Sequence, residues 1–347
     1  MGHTAQTDSS DLAPRSASAP QPRHDDIGSF EPLRIALFRD RWIASTISGV
    51  GTWMQDTAAT WLMTVLTTSP LLIALMQTAA SLPVLALGLF AGSTADIYDR
   101  RRLLMFWQAW MLVSVGILAV LTFTGVVSPW ALLFFTFLLN VGSAMNNPAW
   151  QAIVPELVPM DYIPAAVTLN AASNNIARAL GPALGGLMVA GFLKATTGAG
   201  WVFSLNSASF VAVIWILWRW RRTPLFSSAL PAERMLGSVR SGLRYLRYAP
   251  DLQGPLIRAF VFTFFVSAIW ALLALVAKND LRQGAMGYGI LNGCLGVGAV
   301  IAATALGWIR RYIQADVLLA ITSVYYIIAL TVIALVRSPW AVIPALL

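Results

Sequence analysis

The sequence predicts an all-α polytopic membrane protein, and three observations carry that reading. Hydrophobic residues make up 58% of the chain and charged residues 11%, with a mean hydropathy of +0.70; a soluble domain carries about 25% charged residues. Apolar runs recur between Ile43 and Val336 at the length that a helix needs to cross a hydrocarbon core of roughly 30 Å, about 20 residues. Threaded as alternating spans, these runs place 18 of the 23 Lys and Arg on one side, among them Arg100, Arg101, Arg102, Arg221, Arg222, Arg310 and Arg311. Lys194, Lys278, Arg282 and Arg337 fall on the other side, and Arg178 falls inside a span. Cytoplasmic loops carry the Lys/Arg excess, so a cell-membrane protein with a cytoplasmic amino terminus is expected. The net charge of +8 is then accounted for, and no patch remains for nucleic acid. Cys294 is the one cysteine, which excludes a disulfide framework or a multi-thiolate metal site within the chain.

Residues 1–30 are rich in Ser, Pro, Asp and Gln and contain no apolar run. They read as a disordered cytoplasmic tail without a secretory segment. The basic and aromatic stretch Phe38-Arg39-Asp40-Arg41-Trp42 leads into a first span from about Ile43 to Leu66. Ser45, Ser48, Thr52 and Gln55 recur there at helical spacing, so that face should look into protein or water and not lipid. Asp56 is the one acid well inside a span, and His3 and His24 lie in the tail. A proton carried on a side chain in this segment would therefore ride on Asp56. A carboxylate held by hydrogen bonds for structure alone is the other reading.

The second span follows Ser69-Pro70 and ends at the charged residues 96–102, and the third runs from Leu103 to about Thr124. Ser128-Pro129-Trp130 opens the fourth, which places Asn140, Ser143 and Asn147 on one face. Asn147-Pro148 and Val154-Pro155 are expected helix boundaries, because a residue before proline is pushed out of the helical region. This polar end reads equally as capping groups or as a substrate contact.

The fifth span, about Ile163 to Phe192, carries Asn170, Asn174 and Arg178 one turn apart, then Gly181-Pro182 and Gly185-Gly186. An unpaired charge near mid-span is costly, so Arg178 must find a carboxylate, carbonyls or water. The glycines would let a neighbouring helix approach, and Pro182 removes a backbone donor. The sixth span covers about Trp201 to Leu217. Residues 218–255 form a basic linker in which Met235, Leu236, Val239, Leu243 and Leu246 make an apolar stripe. A helix lying on anionic membrane lipid is expected there. Spans seven to nine run at about Leu256 to Ala277, Met286 to Trp308 and Val317 to Val336, and Trp340 should open a tenth. The domains are thus a tail at 1–30, a six-helix bundle at 31–217, the linker at 218–255 and a partial C-terminal bundle at 256–347.

The spacing Gly92-x3-Asp96-x3-Arg100-Arg101 resembles the loop signature of major facilitator superfamily transporters. With Asp99 and Arg102 included, the stretch is similar to the transmembrane secretion effector branch, which includes enterobactin-exporter-like efflux proteins. The bare alternative is a stop-transfer cluster that fixes topology. Gly181-Pro182-x2-Gly185-Gly186 resembles the second half of the antiporter signature of proton-coupled exporters; Ala177 takes a glycine position of the first half, and Thr168 departs from it.

The resemblance implies the major facilitator fold, with a six-helix N-terminal half and an incomplete C-terminal half. It implies export of a small molecule (drug, siderophore or metabolite) by proton antiport, through alternating access of two halves. In the resembling family, Asp96 and the arginines after it hold one conformation. Asp56 and Arg178 are the expected proton-coupling pair, and Gln55, Asn140, Asn147, Asn170 and Asn174 are expected along the substrate path. Neither a cofactor nor a metal is expected; the chain lacks a GxxxxGK[ST] phosphate loop, and an enzyme is not expected. The family plan has twelve helices, so a truncated membrane protein that only packs or binds partners is the competing reading.

Overall fold

The computed structural model describes residues 28, 30–220, 244–245 and 247–347, with backbone alone at positions 89, 96, 250, 251, 307, 315 and 316. The tail and the surface helix expected around Met235 to Leu246 lie outside the described residues. Ten α-helices of eight or more residues follow in order among the described residues: α1 (Ala36–Leu66), α2 (Pro70–Ile97), α3 (Arg100–Phe123), α4 (Pro129–Ala152), α5 (Ile163–Ala190), α6 (Ala195–Arg219), α7 (Pro250–Leu275), α8 (Ala285–Ile309), α9 (Ala315–Leu335) and the short α10 (Pro339–Leu346). No strand occurs among them.

The Ser-Pro pairs act as helix starts. Ser69, Ser128 and Ser338 each stand at the N-cap with proline in the first turn, where a missing N–H costs nothing. The Ser128 hydroxyl accepts from the Ala131 N–H at 3.2 Å. Successive long helices run in opposite directions, so the Arg100 loop, the end of α4 and the end of α6 share one end of the bundle. That end is called the arginine end below.

Among the described residues, seven helices are long and apolar enough to cross a membrane: α2, α3, α4, α6, α7, α8 and α9. The two long helices that fall short are α1 and α5, whose polar faces the sequence had singled out. Their packing explains the difference. α1 lies against α5 and α6, and α5 lies between α1 and α8, so their polar faces meet protein while Ile47 of α1 and Leu180 and Leu187 of α5 stay exposed. Large apolar side chains also stand exposed on other helices, such as Phe260, Phe264 and Phe265 on α7 and Ile327 and Ile328 on α9.

Two details correct the sequence reading. α1 begins at Ala36, about two turns before the apolar run, because Phe38 and Arg41 are buried at the arginine end. α4 continues through Pro148 to Ala152, so Asn147-Pro148 is not a boundary. Beside the proline, Ala149 is fully buried and Gln151 Nε2 donates to Asn147 Oδ1 at 3.2 Å. The break comes at Ile153, followed by the turn Val154–Leu157.

Candidate functional site

The arginine loop is built from helix ends. Asp99 caps α3 by accepting from the Arg102 N–H at 2.9 Å. Arg100 donates to the Ala152 carbonyl at 3.0 Å and pairs with Glu156 at 2.9 Å. Arg101 donates to the carbonyls of Leu217 at 2.8 Å and Trp218 at 2.5 Å. The last carbonyls of a helix lack intrahelical partners and carry the negative end of its dipole, so two arginines tie the start of α3 to the ends of α4 and α6. Gly92 lies in α2 with nothing within 4 Å of the position its Cβ would take. The side chain of Asp96 lies outside the described residues.

The polar face of α1 divides in two. Gln55 turns toward α6, where its Oε1 accepts from the fully buried Asn206 at 2.6 Å. Ser48 meets Ser209 at 3.1 Å on the same seam. Asp56 turns the other way, onto the wall of a cavity of about 220 Å³ that it shares with Trp53, Thr60, Gln77, Trp270, Tyr288 and Asn292. Residues of α1, α2, α4, α7 and α8 line this cavity.

Asn147, Asn170 and Asn174 come together elsewhere. With Ser45, Gln151 and Ser173 they line a second cavity of about 440 Å³ at the arginine end, between α1, α4 and α5. Asn140 lines neither, and its Nδ2 donates to the Thr136 carbonyl of its own helix at 2.9 Å.

Arg178 is one turn beyond Asn174. Its guanidinium carbon lies 5.8 Å from the Trp53 ring and 5.4 Å from the Trp270 ring, and the two rings are 6.4 Å apart. The same tryptophans border the Asp56 cavity. Among the described residues no ion pair joins Arg178 to Asp56, so the tryptophan pair is their shared neighbour.

The glycine run of α5 lies at two helix contacts. A Cβ on Gly185 would stand 2.6 Å from the Met54 carbonyl of α1, and one on Gly186 would stand 2.8 Å from Gly289 Cα of α8. Gly181 meets Trp53, the Pro182 carbonyl approaches Gly289, and Ala177 touches Gly49. Small residues thus let α5 contact helices before and after the linker. Away from the arginine end, Trp61 stacks on Tyr288 at 6.0 Å, Asn292 donates to Thr57 at 3.3 Å, and Lys278 donates to the Thr64 carbonyl. Those contacts close the far end of α1 against α8 and the turn Val276–Asp280 that follows α7.

Sequence reasoning passed over Trp53, Trp270, Tyr288, Asn292 and Asn206. A lone amide in an apolar span, such as Asn292 beside Leu291, was a readable signal, since polar groups there are costly. The tryptophans gave none, because aromatic residues at helical spacing are usually core.

Residues 27–347 match the family described as transmembrane secretion effector. The chain is 30% identical over 226 residues to the uncharacterized MFS-type transporter YfiS of Bacillus subtilis, covering 64% of this chain and 52% of that one. It thus spans about half the length of that relative. It is 25% identical over 310 residues to the multidrug efflux pump Tap of Mycolicibacterium fortuitum, covering 87% of this chain and 73% of the pump. The fold is similar to the crystal structure of a bacterial homolog of the human lysosomal transporter Spinster, inward-facing and occupied, with a TM-score of 0.65 at 15% identity over 91% of this chain and 72% of that one. The chain belongs to the transmembrane secretion effector family of major facilitator superfamily transporters, proteins that move solutes across membranes and are not enzymes.

Proposed function

We propose that this chain acts in proton-coupled efflux, in which a small molecule leaves the cytoplasm across the cell membrane as a proton enters on Asp56. The observation that carries this reading is the position of Asp56, a carboxylate on the wall of a cavity enclosed by helices from before and after the linker, with no ion-pair partner among the described residues. The name of the relative Tap, a multidrug efflux pump, supports export as the direction. The arginine end is assigned to the cytoplasm on the charge asymmetry. The contacts at the far end, with the larger asparagine-lined cavity at the arginine end, support an inward-open state. The loop from Gly92 to Arg102 acts as the lock of that end, through Asp96 and the ties of Arg100 and Arg101 to α4 and α6.

Coupling follows from charge. A cation brought near a carboxylate drives its proton off, and one moved away lets it return. Arg178, resting on Trp53 and Trp270 in this conformation, would approach Asp56 in the other. Tyr288 is the other titratable group on the cavity wall. In proteoliposomes with an imposed proton gradient, Asp56→Asn should lose proton-driven export at least tenfold while downhill exchange of the same compound persists. Unchanged proton coupling in that variant would move the carrier to another residue.

A further inference from the structure

The second cavity, at the arginine end, is lined by groups that hydrogen-bond without carrying charge. Its wall contains no Lys, Arg, His, Asp or Glu. Two charged residues adjoin it: Arg41 is 2% exposed and stacked on the Trp150 ring at 4.3 Å, and Glu156, next to Pro155 of the wall, pairs with Arg100 at 2.9 Å. A charged ligand would therefore leave water without meeting a counter-charge on the wall, which is costly. The amides are the groups left available. Asn170 and Asn174 make no side-chain hydrogen bond among the described residues. Gln151 Nε2 donates to Asn147 Oδ1 at 3.2 Å, which leaves the Asn147 NH₂ to donate and Gln151 Oε1 to accept. A hydroxyl has one proton, so those of Ser45 and Ser173 serve as acceptors. Ser45 donates to the Trp42 carbonyl at 3.0 Å, and Ser173 meets at 2.7 Å the Thr46 hydroxyl, whose own proton goes to that carbonyl at 2.8 Å. Trp150 adds an aromatic surface, held by Arg41 through its ring and its carbonyl. Donors, acceptors and an indole thus share one wall.

We propose that this cavity binds an uncharged glycoside, with the sugar ring against Trp150 and its hydroxyls on Asn170, Asn174 and the Asn147–Gln151 pair. A sugar hydroxyl both donates and accepts, as a carboxamide does, and the C–H face of the ring is apolar enough to cover an indole. Size agrees with the class. At about 440 Å³ the cavity falls within the roughly 300–1,000 Å³ of pockets for drug-sized ligands. The proposal rests on the efflux reading for its physiological meaning and names the substrate class which that reading leaves open. The Asp56 cavity and the asparagine-lined cavity share no lining residue. Ligand and proton are thus held at separate sites, and the link between them is the change of conformation.

The test uses the chain in lipid nanodiscs with radiolabelled phenyl glucoside and phenyl galactoside, set against phenyl glucuronide, phenyl glucosaminide and cyclohexyl phenyl ether. Those three add a negative charge, add a positive charge or remove every hydroxyl. At least one neutral glycoside should bind about tenfold more tightly than all three. Asn174→Leu should weaken that binding about tenfold, Asn170→Leu severalfold, and Asn174→Gln should retain most of it. Because neither amide has a partner in the structure, Asn174→Leu and Asn170→Leu should keep the parent's thermal midpoint. Tighter binding of the glucuronide would assign the cavity to anions drawn by Arg41, tighter binding of the glucosaminide to cations, and equal binding of the ether to apolar surface alone. Each of these would overturn the proposal, as would no binding at all or binding indifferent to both Asn174→Leu and Asn170→Leu. Glycoside binding with the expected properties but no proton-driven movement in proteoliposomes would sustain the site and sink the efflux reading. Proton-driven export of other compounds, with no glycoside bound, would do the reverse.

Discussion

Gln55 and Asn206 show how one buried residue constrains another. Their hydrogen bond of 2.6 Å joins α1 to α6 where Gly51 brings the helices close, and a Cβ on Gly51 would stand 2.8 Å from Asn206 Oδ1. Hydrogen bonds between membrane helices are modest, averaging about 0.6 kcal/mol. Leaving a buried partner unsatisfied costs more, about 1–3 kcal/mol. Gln55→Leu should therefore lower the thermal midpoint of the detergent-solubilised chain by several degrees, and Gln55→Leu with Asn206→Leu should recover part of that loss. A double variant as destabilised as the sum of the two singles would mean that the amides do not act as a pair. This partnership was half legible in the sequence. The spacing of Ser48, Thr52 and Gln55 marked a face turned away from lipid, but periodicity assigns a face and not a neighbour, and nothing in the run Ser204-Leu205-Asn206-Ser207-Ala208-Ser209 named Gln55 as the partner.

At the scale of the element, α5 carries the sharpest contrast with α2. Both contain glycines of a recognisable signature, yet their surroundings differ. Gly186 lies against Ala285 and Gly289 of α8, whereas Gly92 has nothing within 4 Å of its missing Cβ. Overpacking a tight contact costs about 1–3 kcal/mol, while replacing a helical glycine with alanine in open space gains roughly 0.5–1 kcal/mol. Gly186→Val should thus lower the thermal midpoint and weaken cysteine cross-linking between α5 and α8. Gly92→Ala should leave the midpoint unchanged or slightly raised, and a large drop in that variant would show that the α2 position is packed. The run Gly181-Pro182-x2-Gly185-Gly186 told the sequence reader that something approaches closely. It could not say that α1 and α8 approach from opposite sides, because the second contact depends on how segments on either side of the linker dock. The proline signals were legible only in part: Ser-Pro marked three helix starts because proline suits the first turn, whereas Asn147-Pro148 sits inside α4.

For the molecule as a whole, the proposed sidedness rests on charge placement. Reversing the chain would carry Arg34, Arg39, Arg41, Arg100 to Arg102, Arg219, Arg310 and Arg311 across the membrane, against the bias that sets orientation. Some of these arginines also have structural partners at that end. Arg100 and Arg101 cap helix ends there, and Arg41 is buried with its guanidinium 4.3 Å from the Trp150 ring centre. The charge count could be read from the sequence, while these ties could not. Two exposed positions test the orientation. Tyr98, in the arginine loop, is 63% exposed, and Leu193, in the turn between α5 and α6, is fully exposed. In a Cys294→Ala background, Leu193→Cys should react with a membrane-impermeant maleimide in intact cells, and Tyr98→Cys should react only after permeabilisation. Because both sites are open to solvent, a missing signal at Tyr98→Cys in intact cells reports the barrier and not burial, and permeabilised cells supply the control. The opposite labelling pattern would invert the assignment of every helix and place the asparagine-lined cavity on the outside.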